Sequence, residues 1–306
     1  MTTLLFDTMM QPYFPSKSME CSCVGNLAEC EVLIDHYGAL HTRWSSKPQL
    51  SPTIEALWLM PTTKQMQACH YTIPAALQAC SQLTFLYIPL AMLSQLHKND
   101  LPSSLQYLQI VNMDMDYPAT KVDWELLRDM TNLQSVVIHN DFGSPDCASL
   151  LEGIEVLFPR LRYLSYDVRK NSNLIARAPE ALSHLNILVV EGVGGEYDIQ
   201  LLPVHLRALA IIGATRDFDL RPLVALQQLE SLRLNGMKGI IDVDIFAQMK
   251  QLRDLFIINS KKWHHPERLA ELTLDHLTLI DCGKPLKKFK SLFHEQAYDT
   301  LDIEFS

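Results

Sequence analysis

Apolar residues recur along the chain in one short block: apolar, two residues of any kind, apolar, one of any kind, apolar. The copies begin with Ile54-Leu57-Leu59 and run through Leu83-Leu86-Ile88, Leu105-Leu108-Ile110, Leu133-Val136-Ile138, Leu161-Leu164-Tyr166 and Leu185-Leu188-Val190. They continue through Leu206-Leu209-Ile211, Leu229-Leu232-Leu234, Leu252-Leu255-Ile257 and Leu274-Leu277-Leu279 to Tyr298-Leu301-Ile303. These eleven copies stand 21 to 29 residues apart, and Leu27-Cys30-Val32 reads as a degenerate copy before them. The last two apolar positions are two apart, so they face one side of a short strand, and the first lies where the chain turns into it. One such unit cannot bury its apolar side alone. Stacked units pair their strands in parallel and share a continuous core, while the remaining residues carry the chain back behind the sheet. Chance spacing of leucines would lose phase within a few copies, so eleven in phase predict a repeat stack.

Turn-forming residues keep the same phase. Two positions after the last strand apolar stand Asn112, Asn140, Gly192, Gly213, Gly236, Asn259 and Asp281, types that take tight or left-handed backbone at small steric cost. Val122–Met130, Asp146–Phe158 and Asp242–Met249 carry apolar residues at helical spacing with an acidic residue near an N-cap position, and predict helices. The Leu-Pro linkers at 101–105 and 202–206 predict extended turns into the next strand, because proline biases the preceding residue away from helix. Residues 31–44 read as two short strands about Tyr37-Gly38, a hairpin cap, and 283–291 as a basic turn before a final strand. For the first 20 residues the sequence leaves order and looseness both open. The expected organisation is an N-terminal segment with a β-hairpin cap over 1–49 and one repeat domain over 50–306 with a C-terminal capping strand.

The repeated block resembles the leucine-rich repeat family over about residues 50–306, and the two LPxxL linkers resemble its short bacterial repeats. The resemblance implies an α/β fold: a leucine-rich-repeat solenoid of about 11 repeats, with a curved parallel β-sheet on the concave side and helices and turns on the convex side. The family's usual asparagine stands one position later than the turn residues here, so a regular asparagine ladder is not expected. The resemblance also implies recognition of another protein, without a reaction and without a cofactor.

The 306 residues are 48% hydrophobic and 20% charged, ordinary for a globular chain that buries a core without staples. A net charge of −9 disfavours nucleic acid as a partner. Residues 1–153 hold 7 Lys and Arg against 15 Asp and Glu, net −8, whereas 154–306 hold 19 against 20, net −1, so a cationic partner is drawn to the first half. Seven cysteines, an odd number, read as reduced thiols. Cys21, Cys23 and Cys30 lack a fourth zinc ligand at a familiar spacing, and His264-His265 reads as a loop pair, so no metal is expected. No apolar run reaches 18 residues and the start lacks a basic then apolar leader, so a cytoplasmic protein without a membrane partner is expected, with export by a signal-less route still compatible. Nucleophile-elbow, P-loop, dinucleotide-glycine and zinc-protease motifs are missing from the sequence. Gly192–Gly195 reads as a repeat turn, and Lys284, Lys287, Lys288 and Lys290 as a solvated tip.

In a repeat stack the strand residues between the apolar ones look away from the core and form rows across the sheet. The early rows hold Trp58, Phe85, Tyr87 and Tyr107, joined by Gln109, His139, Tyr163 and Asp167. Aromatic rings on an open sheet are strong anchors for a protein partner; the alternative is that the N-terminal segment covers them or that they pack on each other. The middle rows, with Ile187, Val189, Ala208, Ala210 and Ile212, are apolar and call for a partner, a dimer mate or a covering loop. The late rows mix Arg233, Asn235, Asp254 and His276, which suits polar contacts around an interface, and Phe256 stands among them as a further candidate. Two roles fit: an immunity protein neutralising a basic toxin, whose charge the acidic half would match, or a secreted effector binding a host protein. The substrate arm of a ubiquitin-ligase-like enzyme is more distant, because the repeats run to the last residues.

Overall fold

The computed structural model describes residues 5–13, 21–24, 50, 52–59, 73–112, 121–140, 148–171, 173–294 and 297–304. The chain divides into two compact units, one of residues 11–163 and one of residues 164–306 together with 1–10. In the first unit five strands run parallel in chain order: β1 (Cys21–Val24), β2 (Ala56–Leu59), β3 (Phe85–Pro89), β4 (Tyr107–Asn112) and β5 (Ser135–Asn140). β6 (Tyr163–Asp167) starts at the last residue of that unit. The second unit carries β7 (Ile187–Glu191), β8 (Ala208–Ile212), β9 (Ser231–Asn235), β10 (Ile241–Asp242), β11 (Asp254–Ile258), β12 (Trp263–His264), β13 (His276–Ile280) and β14 (Thr300–Glu304). Six of these pair in parallel in the order β7, β8, β9, β11, β13, β14. The two-residue strands β10 and β12 pair with each other in the return segments.

Each of the eleven apolar blocks falls on one strand from β2 onward, and the register shows why. Leu57, Leu86, Leu108 and Val136 stand side by side, as do Leu209, Leu232, Leu255 and Leu277. All eight are at most 1% exposed. Burying each leucine contributes about 1.5–3 kcal/mol, so every added repeat extends a continuous apolar row. One parallel strand per repeat, with the apolar side packed on the return segments, is a leucine-rich-repeat arrangement. Leu301 and Ile303 of β14 are only half-buried, because that strand has a paired neighbour on one side.

The turn positions follow their residue types. Gly192, Gly213, Gly236, Asn259 and Asp281 all hold φ between 52° and 69°. Each donates its N–H to the last residue of the next strand: Gly192 to Ile212, Gly213 to Asn235, Gly236 to Ile258, Asn259 to Ile280 and Asp281 to Glu304, at 2.7–3.1 Å. The left-handed turn thus carries each ladder one residue past its strand. Asn112 and Asn140 instead finish β4 and β5 as paired strand residues, and Asn112 Nδ2 donates to Asn140 Oδ1 at 2.9 Å. An asparagine contact of two rungs exists where no regular ladder is expected.

The return segments are tighter than predicted. Within 122–130 only a 3₁₀ turn, Trp124–Leu127, forms behind Asp123, whose carboxylate accepts from the Glu125 N–H. Within 146–158 the described part turns at Gly153, φ 97°, and continues as a 3₁₀ segment, Ile154–Arg160. Within 242–249 one α-turn, Val243–Phe246, forms behind Asp242. An α-helix about 10 Å wide does not fit behind strands about 4.8 Å apart without a sharp bend of the sheet, and the slimmer 3₁₀ turn does. Both proline linkers close as tight turns, with Leu105 N–H on Pro102 O and Leu206 N–H on Pro203 O.

The N-terminus departs most from expectation. The hairpin cap at 31–44 and the degenerate copy at 27–32 lie outside the described residues. The strand beside β2 is instead Cys21–Val24. Leu5–Met10 is an α-helix, α1, followed by a 3₁₀ turn, Gln11–Tyr13. Residues 5–13 are therefore ordered rather than loose, and the reason is tertiary: Phe6 is 2% exposed. Among the described residues, no helix is long and apolar enough to cross a membrane.

Candidate functional site

The register builds the rows that the repeat phase predicts. Trp58 stands beside Tyr87 and Tyr87 beside Gln109, while Phe85 stands beside Tyr107. In the second unit Ala210, Arg233, Phe256 and Thr278 form one row. Exposure differs from the expectation of open anchors. Trp58, Phe85, Tyr87, Tyr107, Gln109, Tyr163 and Asp167 are all buried, and only His139 among the early candidates is half-buried. The rings of Trp58 and Phe85 pack at 5.0 Å, and the Tyr107 hydroxyl donates to the Pro12 carbonyl at 2.5 Å. The early aromatics pack on each other and under the N-terminal segment, so they do not stand open.

In the second unit α1 packs on β9 and β11. The Arg233 guanidinium lies 4.2 Å from the centre of the Phe6 ring and 5.0 Å from that of Phe256. The Phe6 N–H donates to Asp254 Oδ2 at 3.2 Å, and Ser231 Oγ donates to the same oxygen at 2.6 Å. The first N–H groups of a helix have no partner within it, and a buried carboxylate is costly without donors. Each need answers the other, since Asp254 is 1% exposed. A cation over a ring adds about 0.5–2 kcal/mol. A helix of six residues would not hold in water by itself. Its stability comes from partners 248 positions away. Asn235, Phe256 and His276 remain half-buried on the same sheet face.

The apolar middle row is not an open patch. Ile187, Ala208 and Ala210 are buried, and Val189 and Ile212 are half-buried. The expectation of self-association through that row loses its physical motive, because most of the apolar area is already covered. Beside it Asp167 accepts from the Arg169 side chain at 3.1 Å and from its backbone N–H at 2.9 Å. Burial, then the charge of Asp167, pushes the Glu191 carboxyl up from its ordinary value, against the pull of Arg169.

The thiols whose side chains are described are structural. Cys282 is buried, its thiol pushed up to about 11 by burial, and its Sγ donates to Ile257 O and Ile280 O at 3.3 Å. Such a thiol stays protonated and unreactive at neutral pH. Burial raises the Cys80 thiol as well. The side chains of Cys21 and Cys23 and the whole of Cys30 lie outside the described residues. Lys284, Lys287, Lys288 and Lys290 are exposed on a turn near the end of the chain.

Two residues of the late face, Phe6 and Ser231, were not singled out from sequence, whereas Asp254 was read with Arg233, Asn235 and His276 as part of the polar late row. A signal for Ser231 was present, since it occupies an outward strand position directly beside Asp254. Phe6 left no comparable signal.

No protein-family model matches the chain, and no curated protein matches it in sequence. Solved structures do resemble it. An internalin (inlF) from Listeria monocytogenes shares 18% identity over 87% of this chain and 79% of its own, with a TM-score of 0.46. Internalin C2 from the same species shares 16% over 67% and 74%, with a TM-score of 0.37. TLR13, in its complex with ssRNA13, shares 18% over 79% of this chain and 38% of its own, with a TM-score of 0.44. The fold is that of a leucine-rich-repeat stack. That statement rests on the strand-per-repeat pairing and the row of left-handed turns.

Proposed function

We propose that the chain is a non-catalytic protein-binding scaffold that takes its partner on the sheet face of β9, β11 and β13, around Arg233, Asn235, Phe256 and His276. The seating of α1 carries this reading. That face already receives a helix, with an aromatic ring against Arg233 and a backbone N–H on the buried carboxylate of Asp254. A partner segment with an aromatic side chain meets the same groups, beside α1 or in its place. Arginine and aromatic residues are the types that dominate interface energetics. For the partner itself we favour a cationic protein, steered at long range by the whole-chain charge of −9, most of which lies in residues 1–153 and outside this face. Neutralisation of a basic toxin is the role that follows; binding of a host protein by an exported chain uses the same surface and differs in where the partner resides.

The test uses the full chain. With Phe6→Asp, α1 leaves its seat, and a labelled peptide of residues 1–13 is expected to bind in trans with saturation. Arg233→Ala in the same chain is expected to weaken that binding at least about tenfold, a loss on the order of 1.4 kcal/mol, at an unchanged melting temperature. A partner recovered from the source cells is expected to compete with the peptide. No uptake of peptide, or equal binding with and without Arg233→Ala, overturns the reading.

A further inference from the structure

The return segments of the second unit bring together a group of side chains that the sheet face does not use. Asp242 ends β10 and His264 ends β12, and the two are partners in that small parallel ladder. His265 follows with φ 52° and ψ 46°. Successive strand residues ordinarily point to opposite sides. A left-handed residue, unfavourable for any side chain with a Cβ, turns the second ring back, and the two imidazole centres lie 3.8 Å apart. One coordinating atom each from Asp242, His264 and His265 lies within 4.8 Å of the others.

The repeat itself makes His265 conspicuous. Six residues after the left-handed turns at Gly192, Gly213 and Gly236 stand Asp198, Asp219 and Asp242. Each of these carboxylates accepts the N–H two residues on, at 2.9–3.1 Å, and so caps its return turn. Six after Asn259 the chain has His265, which makes no capping bond. Capping therefore does not account for histidine there, and its Nδ1 is buried without a hydrogen-bond partner, 3.3 Å from Asp244 Oδ2. A position that breaks the rule of its own repeat, in a strained conformation, is where function is to be sought.

We propose that Asp242, His264 and His265 bind a divalent transition-metal ion of the zinc class through two imidazole nitrogens and one carboxylate oxygen. His264 Nδ1 stands 3.3 Å from Asp242 Oδ2, and His265 Nδ1 stands 3.9 Å from Asp242 Oδ1. Both are long for hydrogen bonds. The first matches the edge of a tetrahedron with metal bonds of about 2.0–2.1 Å, roughly 3.3–3.5 Å; the second is longer, and a small shift of the partly exposed His265 ring closes it. Imidazole with carboxylate suits zinc, nickel or cobalt and not calcium or magnesium, which take oxygen donors. The second shell is in place: the Asp244 N–H fixes Asp242 Oδ1, and Arg268 ties down the Asp244 carboxylate beside His265. The three side chains are 37–57% exposed, so water or a partner's side chain completes the coordination.

Titration calorimetry of the metal-stripped full chain with zinc chloride is expected to show one site per chain with a micromolar dissociation constant. His264→Ala and His265→Ala should each weaken it at least tenfold. Asp242→Asn keeps a capping side chain and removes only the charge, so it should weaken binding while the melting temperature without metal stays put. His184→Ala, an exposed histidine elsewhere, should change nothing. Cobalt should give the visible bands of a four-coordinate ion, lost with His264→Ala. No saturable zinc binding, or binding indifferent to His264→Ala and His265→Ala, overturns the proposal.

Discussion

Glu191 holds its charge against two opposing influences, burial and the nearby carboxylate of Asp167, with only Arg169 in its favour. Its folded value lies above the ordinary 4.5, so the fold favours the protonated form. The stabilising contribution of the proton is complete below the unfolded value and is lost as pH rises through the folded one. Glu191→Gln removes the opposed charge and is expected to raise the melting temperature at pH 7.5 by about 1–3 °C. The gap should close as pH falls toward 4, and thermal melts across that range check it. A lower melting temperature at pH 7.5 would mean that Arg169 outweighs the other two influences. The outward position of Glu191 was legible from the repeat phase, but its surroundings were not. Arg169 leans in from the segment after β6, and a Cβ at Gly192 would meet its Nε at 1.9 Å. That approach depends on a glycine whose presence the sequence explains equally well by turn geometry.

Among the elements, strands and turns were legible and the return segments were not. A strand in a stack repeats an inward side chain every second position, and a left-handed turn demands glycine, asparagine or aspartate, so both leave marks in the sequence. A return segment is judged by how much width the sheet leaves behind it, which no single segment encodes; hence the 3₁₀ turns at 124–127 and 154–160 where helices were predicted. α1 was illegible for a different reason. Six residues are too few to show a helical period, and its anchor lies on β11, far along the chain. The turn row offers a clean measurement. A Cβ at Gly213 would meet nothing closer than Gly192 N at 3.9 Å, so a substitution there tests backbone conformation alone. Gly213→Ala is expected to cost about 1–2 kcal/mol in urea unfolding, and Gly213→Asn less, because asparagine takes left-handed backbone readily. Asn259 already does so at the equivalent turn, with φ 52°. A neutral Gly213→Ala would show that the turn relaxes without its left-handed residue.

At the scale of the whole chain the candidate face was half-legible. The repeat phase named the right rows, because parallel strands in register force every copy to present its outward residues at one height. Phase says nothing about cover. A covering element needs no periodicity, and here it comes from the first residues and from rings such as Trp58 and Phe85 packed side by side. This is why Arg233, Asn235, Phe256 and His276 remain candidates while the early aromatics became interior. The same stacking logic sets the bulk spectroscopy. Each α-helical stretch among the described residues is six residues or shorter, and most of the ordered return segments are 3₁₀ turns. Such short pieces give weak helical ellipticity, so the far-UV circular dichroism is expected to be of β type, without the resolved pair of helical minima. A helix-dominated spectrum of the folded chain would mean that the return segments carry full helices after all. It would then require a sheet bent sharply enough to seat them, and the tight 3₁₀ packing behind the strands would have to be abandoned.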